Sequence, residues 1–279
     1  MNQPIYFDNA ATTVPDEECL SAALGELKDN GFYNPSALYR GGVNAKKKID
    51  AARKTLCSFF GSGYDAVFTS CGSEADNMAV FSFARRGNAV TDSGEHSAIN
   101  NSFKELKNRG VETRFAPLNK NGGVNVDKLL ELVDEKTSFV SVVHVNNETG
   151  ATNDVNAIAA LVKKKNPSVV FHADGVQGFL KIPFKPSKDI DLYSVSAHKI
   201  CALKGTGALV YRKGLHLHPL IIGGGQEGGL RSGTENTFGI SVFENAMKKF
   251  ADVTANYEKA VKVNARFKQL IAPYVQFIS

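Results

Sequence analysis

Along the chain, segments with an apolar residue every three or four positions alternate with short runs of β-branched and aromatic residues, the pattern of a sheet covered by helices on both faces. Leu20, Ala23, Leu24 and Leu27 share one predicted helical face, and Ala45, Ile49, Ala52, Leu56 and Phe59 share a second. Strand-like runs are predicted at 66–69, 139–145, 169–173, 192–196 and 208–211. Between them, helical spacing returns at Ile99/Phe103/Leu106, Leu129/Leu130/Val133 and Val155/Ile158/Leu161/Val162. This alternation predicts one α/β layer sandwich with a largely parallel sheet. After Tyr211 the pattern changes. Gly223-Gly224-Gly225 and Gly228-Gly229 predict a loop. From Ile240 through Phe243, Met247, Phe250, Val253, Tyr257, Val261 and Ile271, one apolar stripe then predicts a single long closing helix that stops near Pro273.

Composition narrows the function classes. The 279 residues include 43% hydrophobic and 22% charged positions, an ordinary globular balance. A net charge of +5 on a chain of this size does not call for nucleic acid or another acidic polymer. The lysine triplets 46–48 and 163–165 read as solvated helix positions. The amino terminus lacks a basic start and an apolar core, and no apolar run approaches the roughly 18 residues of a membrane span. A soluble cytoplasmic protein with no membrane partner is expected. Cys19, Cys57, Cys71 and Cys201 are scattered without CxxC spacing, so reduced thiols are expected, with no metal site.

Ligands of parallel sheets collect beyond the carboxyl ends of the strands, and four such ends carry polar residues. Thr69-Ser70-Cys71-Gly72-Ser73-Glu74 runs from a strand into a helix, where free amides, the Ser73 hydroxyl and the helix dipole would cradle a phosphate, although Ser before acidic residues is also an ordinary cap. His172-Ala173-Asp174-Gly175-Val176-Gln177 ends an apolar strand; Asp174 there either caps a helix or holds a heteroaromatic nitrogen protonated, with Gln177 donating to a ring oxygen. Ser196-Ala197-His198-Lys199 ends another. A lysine at such an inner position is either solvated or works as an amine, for instance by condensing with an aldehyde cofactor, while Ser196 and His198 reach the same phosphate as Ser73. Glu95-His96 and Asn146-Asn147-Glu148 complete the set, with His96 either a surface histidine or a ring-stacking proton shuttle.

In this order, together with Tyr6-Phe7-Asp8-Asn9-Ala10-Ala11-Thr12-Thr13, Asn34-Pro35-Ser36 and Arg231-Ser232-Gly233-Thr234-Glu235-Asn236, these motifs resemble the NifS/IscS-type cysteine desulfurases. Those are pyridoxal 5'-phosphate (PLP) enzymes of the class V aminotransferase group. The resemblance implies a fold-type I large domain with a mostly parallel seven-stranded sheet between helices, divided as an arm over 1–15, the PLP-binding domain over 16–240 and a long helix over 241–279 leading toward a small domain. It implies that Lys199 carries the cofactor and then transfers protons, that His96 stacks on the ring, that Asp174 pairs with the ring nitrogen and that Gln177 bonds the phenolic oxygen. Asn147 would lie beside the cofactor, Gly72, Ser73, Ser196 and His198 would hold the phosphate, and Thr234 would reach the phosphate of the neighbouring subunit in a homodimer.

The implied reaction converts L-cysteine to L-alanine with sulfur transfer for iron–sulfur cluster assembly, delivered to a scaffold or other acceptor protein. Tyr39, Ala202-Leu203 and Gly228 depart from the family pattern, and Gly228 in place of a frequent Arg weakens the expected anchoring of the glycine-rich loop. The family's nucleophilic cysteine belongs to a small domain that follows this part of the fold, and none of the four cysteines matches it. Cofactor binding with little or no desulfurase turnover by this chain alone is therefore expected. Alternatives are a selenocysteine lyase or other class V lyase, and a non-catalytic PLP-binding or dimerisation module.

Overall fold

The computed structural model describes residues 5–276; residues 1–4 of the expected arm and 277–279 of the closing segment lie outside the described residues. Seven strands form one sheet in the order β1-β7-β6-β5-β4-β2-β3. Five of them, β1 (Tyr64–Thr69), β4 (Thr137–Val143), β5 (Val170–Asp174), β6 (Leu192–Ser196) and β7 (Gly207–Arg212), sit on the predicted runs within a few residues. β2 (Asn88–Asp92) and β3 (Glu112–Ala116) complete the sheet. β7 runs antiparallel to both its neighbours and the remaining pairs are parallel.

Successive parallel strands require crossover connections, and helices supply four of them, while β5 reaches β6 through 175–191 without a helix. α3 (Gly72–Phe83) links β1 to β2, α4 (Ser97–Asn108) links β2 to β3, α5 (Val126–Leu132) links β3 to β4, and α6 (Val155–Lys165) links β4 to β5. α1 (Glu17–Glu26) and α2 (Arg40–Ser58) precede the sheet; α7 (Thr237–Lys249) and α8 (Val253–Ile271) follow it. Several of these helices start at residues that satisfy a first-turn amide: Asp16, Asn125, Asp154, Asn236 and Asp252 each accept from a backbone N–H within the next three residues.

Side chains alternate across each strand, so the sheet carries two cores. Ala66, Phe68, Val140, Val142, Phe171, Tyr193 and Val210 face one, beside residues of α2, α6 and α7. Val67, Phe139, Leu192 and Leu209 face the other, beneath Met78 and Ala79 of α3 and Ile99 and Phe103 of α4. Chain travel reverses between β2 and β4: β3 is laid outside β2, whereas β5, β6 and β7 extend the other way. That reversal leaves a crevice at the carboxyl ends of the strands.

Two sequence expectations change. The predicted single closing helix is two helices, broken at Ala251-Asp252, where Asp252 starts α8 by capping Ala255 N. α7 buries Ile240, Val242, Phe243, Ala246 and Met247, whereas α8 buries none of its residues. The continuous apolar stripe concealed the break because Phe250 and Val253 kept the spacing across it. The 163–165 triplet is also not uniformly solvated. Lys163 has a largely buried side chain that pairs with the fully buried Asp191 carboxylate at 2.5 Å, with Arg212 on the other oxygen.

Candidate active site

The carboxyl ends of β4, β5 and β6 and the amino end of α3 converge on a cleft of about 500 Å³. Nine of the ten expected site residues line it: Gly72 and Ser73 at the start of α3, His96 before α4, Asn147 after β4, Asp174 and Gln177 at the end of β5, and Ser196, His198 and Lys199 at the end of β6. The tenth, Thr234, is exposed and lines a separate hollow with Ser70 and Arg231.

At one wall, Cys71 precedes α3 in an extended conformation and gives the helix no side-chain cap. Ser73 is not a capping residue, and Glu74 turns back to the Ser70 amide and hydroxyl at 2.7 and 2.5 Å. The first-turn amides and the positive end of the helix dipole are thus left to the cleft, an arrangement that suits an anion. A Cβ on Gly72 would stand 2.7 Å from Val176 Cγ2 and 3.4 Å from Ser196 Cβ, so only glycine lets this turn approach the end of β5 so closely. Ser196 Oγ is buried there with no hydrogen-bond partner. His96 caps α4 by accepting from Ala98 N through Nδ1, 3.1 Å away, which leaves its ring exposed at the rim.

Asp174 forms the floor. Its Oδ1 accepts from Val176 N at 2.9 Å, so it does close a local turn, as the ordinary reading allowed. It is nevertheless 4% exposed at the bottom of the cleft, and burial raises its pKa against the opposing pull of His96 and Lys199. Lys199 has its pKa lowered by burial, an effect offset by the charges of Asp174 and Asp8. Its ammonium donates to the carbonyls of Ala10 and Ala11 at 2.7 and 2.8 Å. Gln177 donates to the same Ala10 carbonyl at 2.8 Å and accepts from Lys181 at 2.6 Å, so its amide is held between the arm and a lysine. The arm is pinned by Thr13, which donates from both its amide and its hydroxyl to the His198 carbonyl. His198 bonds Thr12 Oγ1 through Nδ1 at 3.1 Å, and burial, then the neighbouring lysines, lower its pKa to about 4. The backbone carbonyls of the arm as partners of Lys199 had no signal in the side-chain pattern.

Sequence reasoning also passed over Asp76 on α3, which lines the cleft and is 1% exposed. The spacing gave a signal: Asp76 lies four residues past Gly72, the span of one helical turn. Behind it, Asp92 at the end of β2 is fully buried, and burial raises its pKa to about 6 despite the hydrogen bond it accepts from the Gly94 amide at 2.8 Å. A folded-state pKa above the unfolded one means that Asp92 contributes stability below about pH 4 and loses it as pH rises through about 6. In urea unfolding compared between pH 4 and pH 7, Asp92→Asn should escape about 3 kcal/mol of the decline seen in the unsubstituted chain. Equal declines in the two proteins would refute this.

The glycine-rich loop is anchored without a cation at 228. Gly228 adopts a positive φ of 65°, whereas Glu227 is clamped by Arg53 and Arg231 pairs with Glu74 at 2.9 Å. The weakened anchoring expected from Gly228 is therefore corrected, because charged neighbours on both sides hold the loop.

Comparison with known proteins agrees with this geometry. The model of the Aminotransferase class-V family matches residues 5–276. Among curated relatives, a cysteine desulfurase of Trichormus azollae is 34% identical over 274 residues, covering 96% of this chain and 68% of the relative. Cysteine desulfurase IscS of Methanosarcina thermophila is 37% identical over 246 residues, covering 86% and 60%. Among solved structures, a NifS-like protein from Rickettsia africae superposes with a TM-score of 0.88 at 31% identity, over 97% of this chain and 75% of that one. Another NifS-like protein gives 0.86 at 35% identity, over 91% and 71%. This chain thus spans about two thirds of the length of the curated relatives it matches. A family match across nearly the whole chain, with the strand-end residues gathered in one cleft, establishes that the chain belongs to the class V aminotransferase family, alongside the cysteine desulfurases.

Proposed function

We propose that the cleft holds pyridoxal 5'-phosphate and serves the desulfuration of L-cysteine to L-alanine, with the sulfur passed to an acceptor thiol as a persulfide. The observation that carries this reading is the convergence of an amine, a buried carboxylate and an anion cradle in one cleft. The residues fit the cofactor: Ser196 Oγ has no partner of its own, the α3 amides lack a side-chain cap, and the volume is that of a small-ligand site. Gly72, Ser73, Ser196 and His198 would hold the phosphate, Asp174 would accept from a protonated ring nitrogen, Gln177 would bond the phenolic oxygen, and His96 and Asn147 would flank the ring. When bound, the cofactor supplies an electron-accepting ring that spreads negative charge developing at the substrate α-carbon.

The chain's own residues then manage protons and position. Lys199 takes the α-proton at Nζ, and burial favours the neutral amine this requires. For the bound amino acid to approach, Lys199 must release the Ala10 and Ala11 carbonyls, so the arm is part of the site. Cys19 and Cys57 are poor acceptors because burial raises both thiols to about 11; Cys71 lines the cleft. The reading extends to a homodimer in which Thr234 reaches the partner's cleft, supported by its exposed position outside its own. It also extends to sulfur delivery for iron–sulfur cluster assembly in the cytoplasm, where thiols stay reduced, supported by the IscS relatives.

Proton exchange tests the site without requiring sulfur transfer. With PLP added, the chain should develop a visible absorption band and exchange the α-hydrogen of L-alanine for deuterium in D2O, followed by proton NMR. No band and no exchange would overturn the proposal.

A further inference from the structure

Beneath the cleft, the face of the sheet covered by α3 and α4 is interrupted by three polar residues on adjacent strands. Ser141 of β4 lies opposite His172 of β5 in register, and Ser194 of β6, opposite Asp174, lies two residues further along the same face; all three are fully buried. Ser141 Oγ lies 3.0 Å from His172 Nδ1, and Ser194 Oγ lies 2.9 Å from His172 Nε2. At one end Ser141 reaches Glu95 Oε1 at 2.7 Å. At the other end the buried Asp76 carboxyl faces the same ring: its Oδ1 is 3.8 Å from His172 Nε2 and has no hydrogen bond of its own. An unpartnered carboxyl that lines the cleft thus stands at one end of a run of two hydroxyls and an imidazole, and a second carboxyl that does not line the cleft is bonded at the other.

We propose that the hydrogen-bonded run of Ser194, His172, Ser141 and Glu95 closes onto the unpartnered Asp76 carboxyl through Ser194, that the completed chain holds a single proton shared between the two carboxyls, and that it adjusts the charge of the cleft floor to the ligand bound there. In one state Asp76 donates to Ser194, Ser194 to His172 Nε2, His172 Nδ1 to Ser141, and Ser141 to Glu95. In the other every donor points the opposite way. Passing between them, Asp76 gives its proton to Ser194, Ser194 gives its own to His172 Nε2, His172 gives the Nδ1 proton to Ser141, and Ser141 gives one to Glu95. One proton has moved from Asp76 to Glu95, each relay member keeps its proton count, and the histidine has changed tautomer.

The surroundings fit this assignment. With both ring nitrogens engaged, a neutral imidazole must donate from one and accept at the other. His172 is held neutral because burial lowers its pKa to about 3. Two anions in this interior would carry a large desolvation cost, and Asp92 and Asp174 add further negative charge. Burial raises the pKa of both Asp76 and Glu95 well above the ordinary range. The cation facing the group, Lys199, acts on Asp174 from the cleft side. A positively charged ring nitrogen over the floor would therefore draw the anion to Asp76 and send the proton to Glu95. This last step rests on the cofactor reading above; the shared proton does not.

Infrared difference spectroscopy at neutral pH separates the two. Asp76→Asn and Glu95→Gln, both isosteric, should each keep the absorption of one protonated carboxyl in the cofactor-free protein, because the remaining acid retains the proton. The double variant should lose it. Loss of a full carboxyl band in either single variant, or its persistence in the double variant, would overturn the shared proton. With PLP added, Glu95→Gln should raise the cofactor Kd about tenfold, because the anion can no longer be delivered to the floor by moving the proton to residue 95. An unchanged Kd would overturn the charge adjustment. Absence of PLP binding by the unsubstituted chain would instead refute the cofactor reading, with the infrared result still deciding the proton.

Discussion

Lys199→Ala is expected to abolish the visible band that PLP gives with the unsubstituted chain and to slow α-hydrogen exchange by about 10²- to 10⁴-fold, the range set by losing one positioned proton-transfer group. The prediction follows from the placement of the amine. Lys199 begins just past the end of β6, on a short turn that the His198 carbonyl ties to Thr13, so its side chain is directed across the cleft toward the arm rather than out to solvent. Among the described residues, Lys199 is the lysine that lines the cleft. Lys181, with its pKa lowered to about 8 by burial, does not line the cleft and is engaged by the Gln177 side-chain oxygen at 2.6 Å. Cofactor should still bind to Lys199→Ala noncovalently, because the α3 amides, Ser196 and His198 remain. Dialysis should consequently release it faster, and borohydride should fix no cofactor to the protein. A variant that keeps both the band and the exchange rate would show that another amine does the work. In that case the role assigned to Lys199 is wrong even if the cleft is right.

The parts of this site that were legible in the sequence are those where a polar residue interrupts an apolar strand or closes it. Asp174, Ser196 and Lys199 follow strands whose other residues are almost all hydrophobic, and a buried polar terminus needs either a partner or a purpose. The same logic applied one layer deeper would have found Ser141, His172 and Ser194, which interrupt the apolar runs of three neighbouring strands. Their partnership was hidden because strand order is not contained in local pattern: β4, β5 and β6 are adjacent only after the crossovers are made. β2 and β3 were faint for a different reason. Asn88, Thr91 and Asp92 give β2 the composition of a loop, and the edge strand β3 is exposed at Glu112 and Phe115. The role of the arm was illegible because it acts through the carbonyls of Ala10 and Ala11, which every residue carries. The helix break at Ala251-Asp252 was marked only by an Asp, and the uninterrupted apolar stripe outweighed it.

The largest stability effect is expected at the clamp between Arg53 of α2 and Glu227 of the glycine-rich loop. The Glu227 side chain is 2% exposed and accepts from both Arg53 terminal nitrogens, at 2.6 and 2.9 Å, and from the Phe68 amide of β1 at 2.8 Å. Arg53 also donates to the Ala66 carbonyl and lies over the Phe68 ring, 5.2 Å from its centroid. The clamp thus ties a loop to the edge strand of the sheet, and it does so while Glu227 holds a φ of 51°, a left-handed conformation that costs a non-glycine residue about 1 kcal/mol or more. Surface ion pairs are worth little, but removing one partner of a buried pair strands the other charge without water. Arg53→Ala and Glu227→Gln should each cost about 3–5 kcal/mol, read from urea unfolding midpoints at constant slope. The double variant Arg53→Met/Glu227→Leu removes both charges and should cost less than the sum of the singles by at least about 1 kcal/mol. Additive effects below about 1 kcal/mol would mean that the loop is held by its backbone and by Arg231–Glu74 alone. The distinction bears on the site, since the loop also carries Thr234: a detached loop would lower cofactor retention in any assembly where Thr234 reaches a neighbouring cleft, whereas the isolated cleft would lose nothing.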